Sequence, residues 1–252
     1  MSLELAGKKF LVTGAGRGIG RALSKTLSEQ GCKVYALSRT QKTLDTLAGE
    51  DHNIHTIQAD IRNLDELKDK LDGIDVLDGL VNNAALSENC MCPALDVSKD
   101  ILQRTFETNL FASIYITQIV AKKMIAAKRN GSIVNISSLY SLQSAPNYLA
   151  YTSSKAALDM VTKQFALELG PYNIRVNAIN PTIVKTEAMQ SLFKEVYPLD
   201  KLFIDKTPLG RIAEIKEVVY PILYLLSDLS SMVSGTTHIV DGGAISSFVT
   251  KL

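Results

Sequence analysis

Three side chains in the second half of the chain have the residue types and spacing of an acid–base site. Tyr151 and Lys155 are four residues apart, and Tyr151 follows Ser138 by thirteen residues. Residues at i and i+4 share one face of a helix, so the phenol and the ammonium can point into one cleft. A nearby cation favours the phenolate and lowers a tyrosine pKa, which makes the phenol a usable proton donor or acceptor. A pair with this spacing is also ordinary helix surface, so its meaning depends on the rest of the chain.

A glycine-rich segment near the amino end predicts a phosphate-binding loop. Gly14, Gly18 and Gly20 follow the apolar run Lys9–Thr13 and lead into a helical pattern that starts near Ile19. Glycine permits a tight turn, and a helix amino end offers N–H groups and a positive dipole to a pyrophosphate. The order strand, glycine loop, helix is the context that a dinucleotide site requires.

The end of the second apolar run predicts which nicotinamide cofactor is bound. An NAD enzyme usually carries a carboxylate there, which binds the ribose hydroxyls of the adenosine. This chain has Ser38, Arg39 and Thr40 instead, and these residues suit a 2′-phosphate. Arg17 in the glycine loop can add a second guanidinium, although for Arg17 alone a solvated loop charge is an equal alternative. The sequence therefore predicts NADP(H).

Two later strand ends are expected to contact the same cofactor. Asp60, at the end of the third apolar run, is expected to hold the adenine edge through its side chain, with Ile61 beside it. Asn82 and Ala84 close the fourth run, where small side chains let a ribose lie close.

Composition excludes several classes of partner. The chain of 252 residues carries 27 Lys and Arg against 26 Asp and Glu, a balance that argues against nucleic acid or an anionic membrane as the main partner. The three cysteines have no C-x-x-C spacing, which favours reduced thiols, and Cys90-x-Cys92 is only a weak metal pair. We therefore expect no metal site.

The chain ends and its apolar runs bear on localisation. No stretch approaches the ~18 apolar residues of a membrane span, so none is expected. The last residues, Thr250-Lys251-Leu252, match the peroxisomal tripeptide in two positions, but a frayed polar tail is favoured. We expect a cytoplasmic protein.

Short apolar runs alternate with longer amphipathic ones, which predicts one α/β domain over residues 1–252. The expected fold is a Rossmann-like, doubly wound, seven-stranded parallel sheet with helices on both faces. The predicted strands are Lys9–Thr13, Lys33–Ser38, Ile54–Ala59, Gly79–Asn82, Ser132–Ser137, Arg175–Asn180 and Thr237–Asp241. Helical patterns lie near Ile19–Gln30, Leu64–Leu71, Lys99–Ala127, Ala150–Leu169 and Glu214–Ser227.

The segment from Thr182 to about Lys206 breaks this alternation and carries several large apolar residues. Because it follows a strand end, it is a candidate lid over the substrate, with an excursion packed on the core as the alternative.

Taken in order, these motifs resemble those of the short-chain dehydrogenase/reductase family over essentially the whole chain. The matching positions are Thr13–Gly20, Asn82-Asn83-Ala84, Asn109, Ser138, Tyr151-x-x-x-Lys155 and Asn180-Pro181. Stretches such as Ala157-Leu158-Asp159-Met160 are similar to the branch of that family that reduces L-xylulose and α-dicarbonyls. The resemblance implies a cytosolic, tetrameric, NADPH-dependent carbonyl reductase.

The resemblance also implies roles for individual residues. Ser138 would hydrogen-bond the substrate carbonyl, Tyr151 would deliver the proton, and Lys155 would lower the Tyr151 pKa and hold the nicotinamide ribose. Asn109 would anchor a water in a proton relay. Ile183, Val184 and Thr186 are expected to fix the nicotinamide carboxamide, and Pro181 is expected to contact the cofactor as well.

Some positions depart from the branch and leave the substrate open. Leu139 and Tyr140 replace smaller polar residues, and Tyr148 stands where that branch has a histidine. Leu139 and Tyr148 are therefore expected to face the substrate and make its pocket less polar. Two alternatives remain: a 3-oxoacyl-thioester reductase, which would share the catalytic residues, and a catalytically silent NADPH-binding scaffold.

Overall fold

The computed structural model describes residues 3–87, 91–187, 189 and 199–246, with only the backbone at 199 and 200. Seven strands pair in parallel in the order β3-β2-β1-β4-β5-β6-β7. They are β1 (Lys9–Thr13), β2 (Lys33–Ser38), β3 (Ile54–Gln58), β4 (Gly79–Asn82), β5 (Gly131–Ile136), β6 (Ile174–Pro181) and β7 (Thr237–Val240). The strand order reverses between β1 and β4, which in such sheets opens a crevice at the carboxyl ends of the strands. The predicted doubly wound parallel sheet is confirmed.

Helices connect the strands. They are α1 (Gly18–Glu29), α2 (Gln41–Ala48), α3 (Leu64–Asp72), α4 (Lys99–Phe106), α5 (Ala112–Ala126), α6 (Leu149–Leu169), α7 (Leu199–Lys206) and α8 (Ile215–Leu226). A π-helical segment, Glu107–Phe111, joins α4 to α5. In the part of the chain that is described, no helix is long and apolar enough to cross a membrane.

Apolar side chains cover both faces of the sheet. On one face, Leu23 and Leu27 of α1 pack with Val218 and Ile222 of α8. On the other face, α3, α5 and the end of α6 pack over Leu11, Leu80 and neighbouring strand residues. The inner strands are therefore buried on two sides, which is why they are nearly continuous apolar runs, whereas the edge strands β3 and β7 are only partly buried.

The structure departs from the expected elements in two places, and part of the expected lid lies outside the described residues. The helix α2 was not predicted, although Leu44 and Leu47, both buried, have helical spacing. The expected helix Lys99–Ala127 ends at Ala126 and is interrupted by the π-helical segment. Of the expected lid, residues 188 and 190–198 lie outside the described residues, as does the carboxyl-terminal tripeptide.

Candidate active site

Parallel strands bring most of the predicted site to one edge of the sheet. The carboxyl ends of β1 and β4 lie side by side, since Val12 pairs with Val81. The end of β2 lies on the other side of β1, where Leu37 pairs with Thr13. Residues far apart in the sequence therefore meet around the glycine loop.

The glycine loop is closely packed against the end of β4. Gly14 has a φ of +66°, in the left-handed region that glycine tolerates. A Cβ on Gly20 would lie 2.4 Å from the Gly14 carbonyl oxygen and 2.5 Å from Asn83 Nδ2. Arg17 stands at the N-cap of α1 and makes no side-chain capping hydrogen bond there. The amino end of α1 thus offers its first N–H groups to an anion, as a pyrophosphate requires.

Asn83, which the sequence analysis did not select as a ligand, ties this loop to β4. Its Nδ2 donates to the carbonyl oxygens of Thr13 at 2.9 Å and Gly14 at 3.2 Å. The backbone N–H groups of Asn83 and Ala84 both donate to Thr13 Oγ1 at 3.0 Å. Ala84 therefore stands beside the glycine loop, as expected.

The Asn82 side chain is turned away from this loop. It is buried, and its Nδ2 donates to Asn135 Oδ1 at 2.9 Å and Thr117 Oγ1 at 3.0 Å. The side chain of Asn82, which lies inside β4 and faces α5, therefore points away from the expected cofactor position. Asn82 can reach the cleft only through its backbone.

Hydroxyl groups surround the loop where the adenosine ribose is expected. A Cβ on Gly16 would lie 2.8 Å from Ser38 Oγ and 2.4 Å from Thr43 Oγ1. Arg39 and Thr40 follow Ser38 and are exposed at the start of α2. Thr43 was missed because α2 was not predicted.

The Asp60 carboxylate is engaged by a neighbouring guanidinium. Arg62 donates to Asp60 Oδ2 from Nη2 at 2.6 Å and to Oδ1 from Nε at 3.0 Å. The hydrogen bond from Arg62 is the main cause that lowers the pKa of Asp60, with a smaller contribution from the charge of Arg39. Asp60 can therefore accept a hydrogen bond from an adenine only with the carboxylate lone pairs that Arg62 does not occupy. Ile61, the next residue, is buried.

Tyr151 and Lys155 share one face of α6, as their spacing predicts. Lys155 Nζ lies 5.8 Å from the centroid of the Tyr151 ring. Lys155 is 2 % exposed, and Nζ donates to the Ile136 carbonyl oxygen at 2.7 Å. Burial lowers the pKa of Lys155 to about 8, while the charge of Asp159 acts in the opposite direction.

Ser138 is held at the start of a short 3₁₀ turn, Leu139–Ser141. Its Oγ accepts a hydrogen bond from the Tyr140 N–H at 3.1 Å. This bond uses a lone pair and leaves the hydroxyl proton to be donated to another oxygen. The serine therefore caps the turn and can still bind a carbonyl.

Three tyrosines connect the Ser138 turn to Tyr151. The ring centroids of Tyr140 and Tyr148 are 5.4 Å apart, and those of Tyr148 and Tyr151 are 6.1 Å apart. Burial is the main cause that raises the pKa of Tyr140. Leu139 is buried, so only a small part of its side chain is exposed and able to contact a substrate.

Met91 completes the outer part of this aromatic cluster. The Tyr148 hydroxyl donates to Met91 Sδ at 3.2 Å, and the Cys92 N–H donates to the Asn147 carbonyl oxygen at 2.8 Å. The sequence offered no signal for this contact, because the two segments are joined only by the fold.

Asn109 lies in the π-helical segment and is fully buried. Its Oδ1 accepts from the Leu86 N–H at 2.7 Å, and its Nδ2 donates to the Leu86 carbonyl oxygen at 3.1 Å and to Ser154 Oγ at 3.1 Å. The family motif implies a catalytic role for an asparagine here, and these hydrogen bonds give it a structural role as well. Segments of π-helix often occur at functional sites.

The segment after β6 returns to the glycine loop. Thr186 lies against Gly18, where a Cβ would be 3.4 Å from Thr186 Cγ2. Val184 is buried and forms a bridge with Ala213, and Pro181 ends β6. The start of the segment after β6 therefore lies beside the amino end of α1.

Comparison with known proteins identifies the family. The family model described as Enoyl-(Acyl carrier protein) reductase matches residues 14–244. The chain is 46 % identical to the L-xylulose reductase of Bos taurus over 96 % of its own length and 98 % of that protein. It is 40 % identical to Carbonyl reductase [NADPH] 2 of Sus scrofa, over 98 % of this chain and all of that one. The chain belongs to the short-chain dehydrogenase/reductase family.

A solved structure agrees with this assignment. The gluconate 5-dehydrogenase of Burkholderia cenocepacia, in complex with NADP and tartrate, superposes with a TM-score of 0.90. It is 28 % identical and covers 97 % of this chain and 98 % of its own. As a member of the short-chain dehydrogenase/reductase family, this protein is an oxidoreductase that uses a nicotinamide cofactor.

Proposed function

We propose that this protein is an NADPH-dependent carbonyl reductase that acts on L-xylulose and small α-dicarbonyls. The observation that carries the proposal is the buried Lys155 beside Tyr151, in a chain 46 % identical to an L-xylulose reductase. Burying an ammonium does not help the chain to fold, so a buried lysine beside a phenol indicates a functional role, here in proton transfer. The curated relatives named above support the reaction class.

Each catalytic side chain has a proposed task. Ser138 donates a hydrogen bond from its hydroxyl to the substrate carbonyl oxygen, and Tyr151 transfers the one proton that this oxygen gains. Lys155 favours the phenolate that remains and binds the nicotinamide ribose. Asn109 anchors a water that relays protons through Lys155 to solvent. A bound NADPH supplies the hydride.

The cofactor proposal rests on the residues around the end of β2. The described loop carries the Ser38 and Thr43 hydroxyls beside Gly16, with Arg39 following. The amino end of α1 and its glycines fit a pyrophosphate. Positions 38 and 39 hold serine and arginine rather than the acidic residue that would bind the bare ribose hydroxyls of NADH. We propose that Arg39 and Arg17 bind the 2′-phosphate, that Ile61 and Ala84 border the adenosine, and that Val184 and Thr186 border the nicotinamide.

The substrate proposal rests on the aromatic wall beside Tyr151. Tyr140, Tyr148 and Met91 give the outer pocket an apolar surface, which suits a small dicarbonyl at least as well as a polyol chain. We also propose that residues 1–252 form one domain, that the chain assembles as a homotetramer, and that it is cytoplasmic, as the family branch implies.

The function is tested with a steady-state rate panel that uses NADPH with L-xylulose, diacetyl and an acetoacetyl thioester. We expect L-xylulose and diacetyl to be reduced, with diacetyl at least equal in kcat/KM. A preference for the thioester would indicate an oxoacyl reductase instead, and no turnover of any substrate would indicate a silent binding protein.

The variant Tyr151→Phe tests the proton donor. Because it removes only the hydroxyl, we expect kcat to fall about 10²–10⁴-fold while NADPH binding, measured by cofactor fluorescence, is kept. If this variant retained more than about a tenth of the activity, Tyr151 would not be the acid.

A further inference from the structure

We propose that Asp159 is a positioning residue, which holds the backbone of the Ser138 turn in place through Ser141 and Asn180. The inference rests on the proposed role of Ser138 and adds a residue for which neither the motif nor the proposed mechanism has a use. Asp159 touches none of the proposed reacting groups. Its effect reaches Ser138 through the two intervening side chains.

The carboxylate is at the centre of a buried polar cluster. Asp159 is on α6, one helical turn after Lys155, and is 7 % exposed. Its Oδ2 accepts a hydrogen bond from Ser141 Oγ at 2.5 Å and from Asn180 Nδ2 at 2.8 Å. Ser141 belongs to the Ser138 turn and Asn180 to β6, so one carboxylate oxygen joins three elements.

Both partners of Asp159 also bind the Ser138 backbone. Ser141 Oγ lies 2.7 Å from the Ser138 carbonyl oxygen, and Asn180 Nδ2 lies 3.2 Å from it. Asn180 Nδ2 is in addition 2.7 Å from Ser141 Oγ. The position of this carbonyl group sets the direction in which the Ser138 side chain leaves the backbone.

Counting protons gives the direction of the bonds. Asn180 Nδ2 has two protons and the Ser141 hydroxyl has one. The amide donates one proton to Asp159 Oδ2 and the other to Ser141 Oγ, and the single Ser141 proton is shared between Asp159 Oδ2 and the Ser138 carbonyl oxygen. The carboxylate therefore orients both the amide and the hydroxyl, and the hydroxyl bridges the carboxylate and the turn.

Folding stability alone does not account for a carboxylate at this position. Asp159 Oδ1 is buried and has no hydrogen-bond partner among the described residues, and a buried acceptor without a partner costs free energy. Burying a charge adds to this cost. A residue that is unfavourable for stability but close to Lys155 and to the Ser138 turn is better explained by the geometry it maintains.

The experiment compares two substitutions of Asp159 with a control on the same helix. Asp159→Leu removes the acceptor, and Asp159→Asn keeps an oxygen where Oδ2 stands. The control is Thr162→Val, because Thr162 is also buried on α6 but accepts from Asn135 Nδ2 at 2.8 Å, in a different hydrogen-bond network. For each variant, kcat and KM for diacetyl, NADPH affinity and the melting temperature are measured.

We expect Asp159→Leu to lower kcat about 10–100-fold, because a misplacement of about 1 Å in a reacting group has effects of this size. NADPH affinity should stay within about threefold, since the proposed cofactor contacts are elsewhere, and Asp159→Asn should recover kcat to within about fivefold of the unchanged protein. Thr162→Val should lower the melting temperature and leave kcat within about twofold. These expected changes in kcat are smaller than the loss of about 10²–10⁴-fold expected when a reacting group itself is removed.

Three outcomes would overturn the proposal. They are an unchanged kcat in folded Asp159→Leu, an equal loss of kcat in Asp159→Asn and Asp159→Leu, and an equal loss of kcat in Thr162→Val.

If Asp159→Leu does not fold, the variant Ser141→Ala tests the proposal instead, because it removes the hydroxyl between Asp159 and the Ser138 carbonyl and leaves the carboxylate. A fall in kcat in this variant supports the proposal, and an unchanged kcat overturns it. Ser138→Ala, measured alongside, separates the two hypotheses, because full activity in that variant would refute the role of Ser138 itself.

Discussion

At the scale of single residues, Lys155 lies in an environment that is unfavourable for its own charge. Burial lowers its pKa from the ordinary 10.5 to about 8, and the charge of Asp159 offsets only part of this effect. Below pH 8 the folded and unfolded states are both protonated there, and the folded state carries the full cost of the buried charge. Between pH 8 and 10.5 only the unfolded state keeps the proton, so this contribution becomes less unfavourable as the pH rises.

Lys155→Met is therefore expected to stabilise the cofactor-free protein at pH 7, by about 1–3 kcal/mol in the free energy of unfolding. The upper value of this range follows from the lowered pKa of Lys155. The expected gain is smaller than that because the variant also loses the hydrogen bond to Ile136 and leaves the Asp159 charge without its neighbouring cation. The gain should shrink between pH 8 and 10.5. Urea unfolding at pH 7 and 9.5 measures it, with the exposed Lys163→Met as the control. Destabilisation at both pH values would contradict the prediction.

The proposed NADPH preference is also decided by individual side chains. A charge-assisted hydrogen bond contributes roughly 1.5–3 kcal/mol, so two arginines on the 2′-phosphate should favour NADPH over NADH by about 10²–10⁴-fold, after a discount for their exposure. Ser38→Asp combined with Arg39→Ile should reverse the preference, because the new carboxylate repels the phosphate and accepts from the ribose hydroxyls. The ratio of kcat/KM for the two cofactors measures this. A ratio near one in the unchanged protein would show that neither arginine binds the phosphate.

At the scale of the elements, the glycine loop requires glycine because there is no room for a Cβ, as well as for its backbone conformation. A Cβ at Gly20 would overlap the Gly14 carbonyl oxygen and Asn83 Nδ2. Gly20→Ala must therefore shift the backbone that is proposed to bind the pyrophosphate. We expect a loss of about 1–3 kcal/mol in the free energy of unfolding and at least about tenfold weaker NADPH binding.

Gly170→Ala is the matched control for this substitution. A Cβ at Gly170 meets nothing within 4 Å, and its φ of −52° suits alanine. It should leave NADPH binding unchanged and stability equal or higher by about 0.4–1 kcal/mol. Thermal unfolding and a fluorescence titration with NADPH compare the two variants. Equal effects at both positions would refute the steric explanation.

In the whole molecule, α5 and α6 carry apolar side chains that the fold leaves exposed. Met160 is 63 % exposed and Leu167 73 % exposed, while Phe111 and Tyr115 near the start of α5 are 43 % and 41 % exposed. Apolar surface of this extent on two long helices favours association with further copies of the chain.

The proposed homotetramer should scatter light as a particle of about 110 kDa, four times the chain mass of 27.5 kDa, at micromolar concentration. Met160→Lys with Leu167→Glu should dissociate it, because charges would be buried in the contact. Leu95→Lys is the control, since Leu95 is 99 % exposed and outside both helices. A mass near 27.5 kDa for the unchanged protein would exclude the tetramer.

The sequence alone was enough for the fold class and for the bounds of every strand to within one or two residues. The strands are apolar runs bounded by glycine, proline or polar residues, and their signals are local. The glycine loop and the pair Tyr151 and Lys155 are local patterns as well, since their spacing alone decides which face they share. These features needed no knowledge of tertiary contacts.

The tertiary structure decided which neighbours the site residues have. Adjacent strand residues point to opposite faces, and only the packing of α5 shows that Asn82 is interior while Asn83 holds the glycine loop. The partners of Asn109 and Asp159 are distant in the sequence, so no spacing rule could find them. Hydrogen bonds between distant segments exist only after the sheet has formed, which is why the positioning network of Ser138 was visible only in the folded chain.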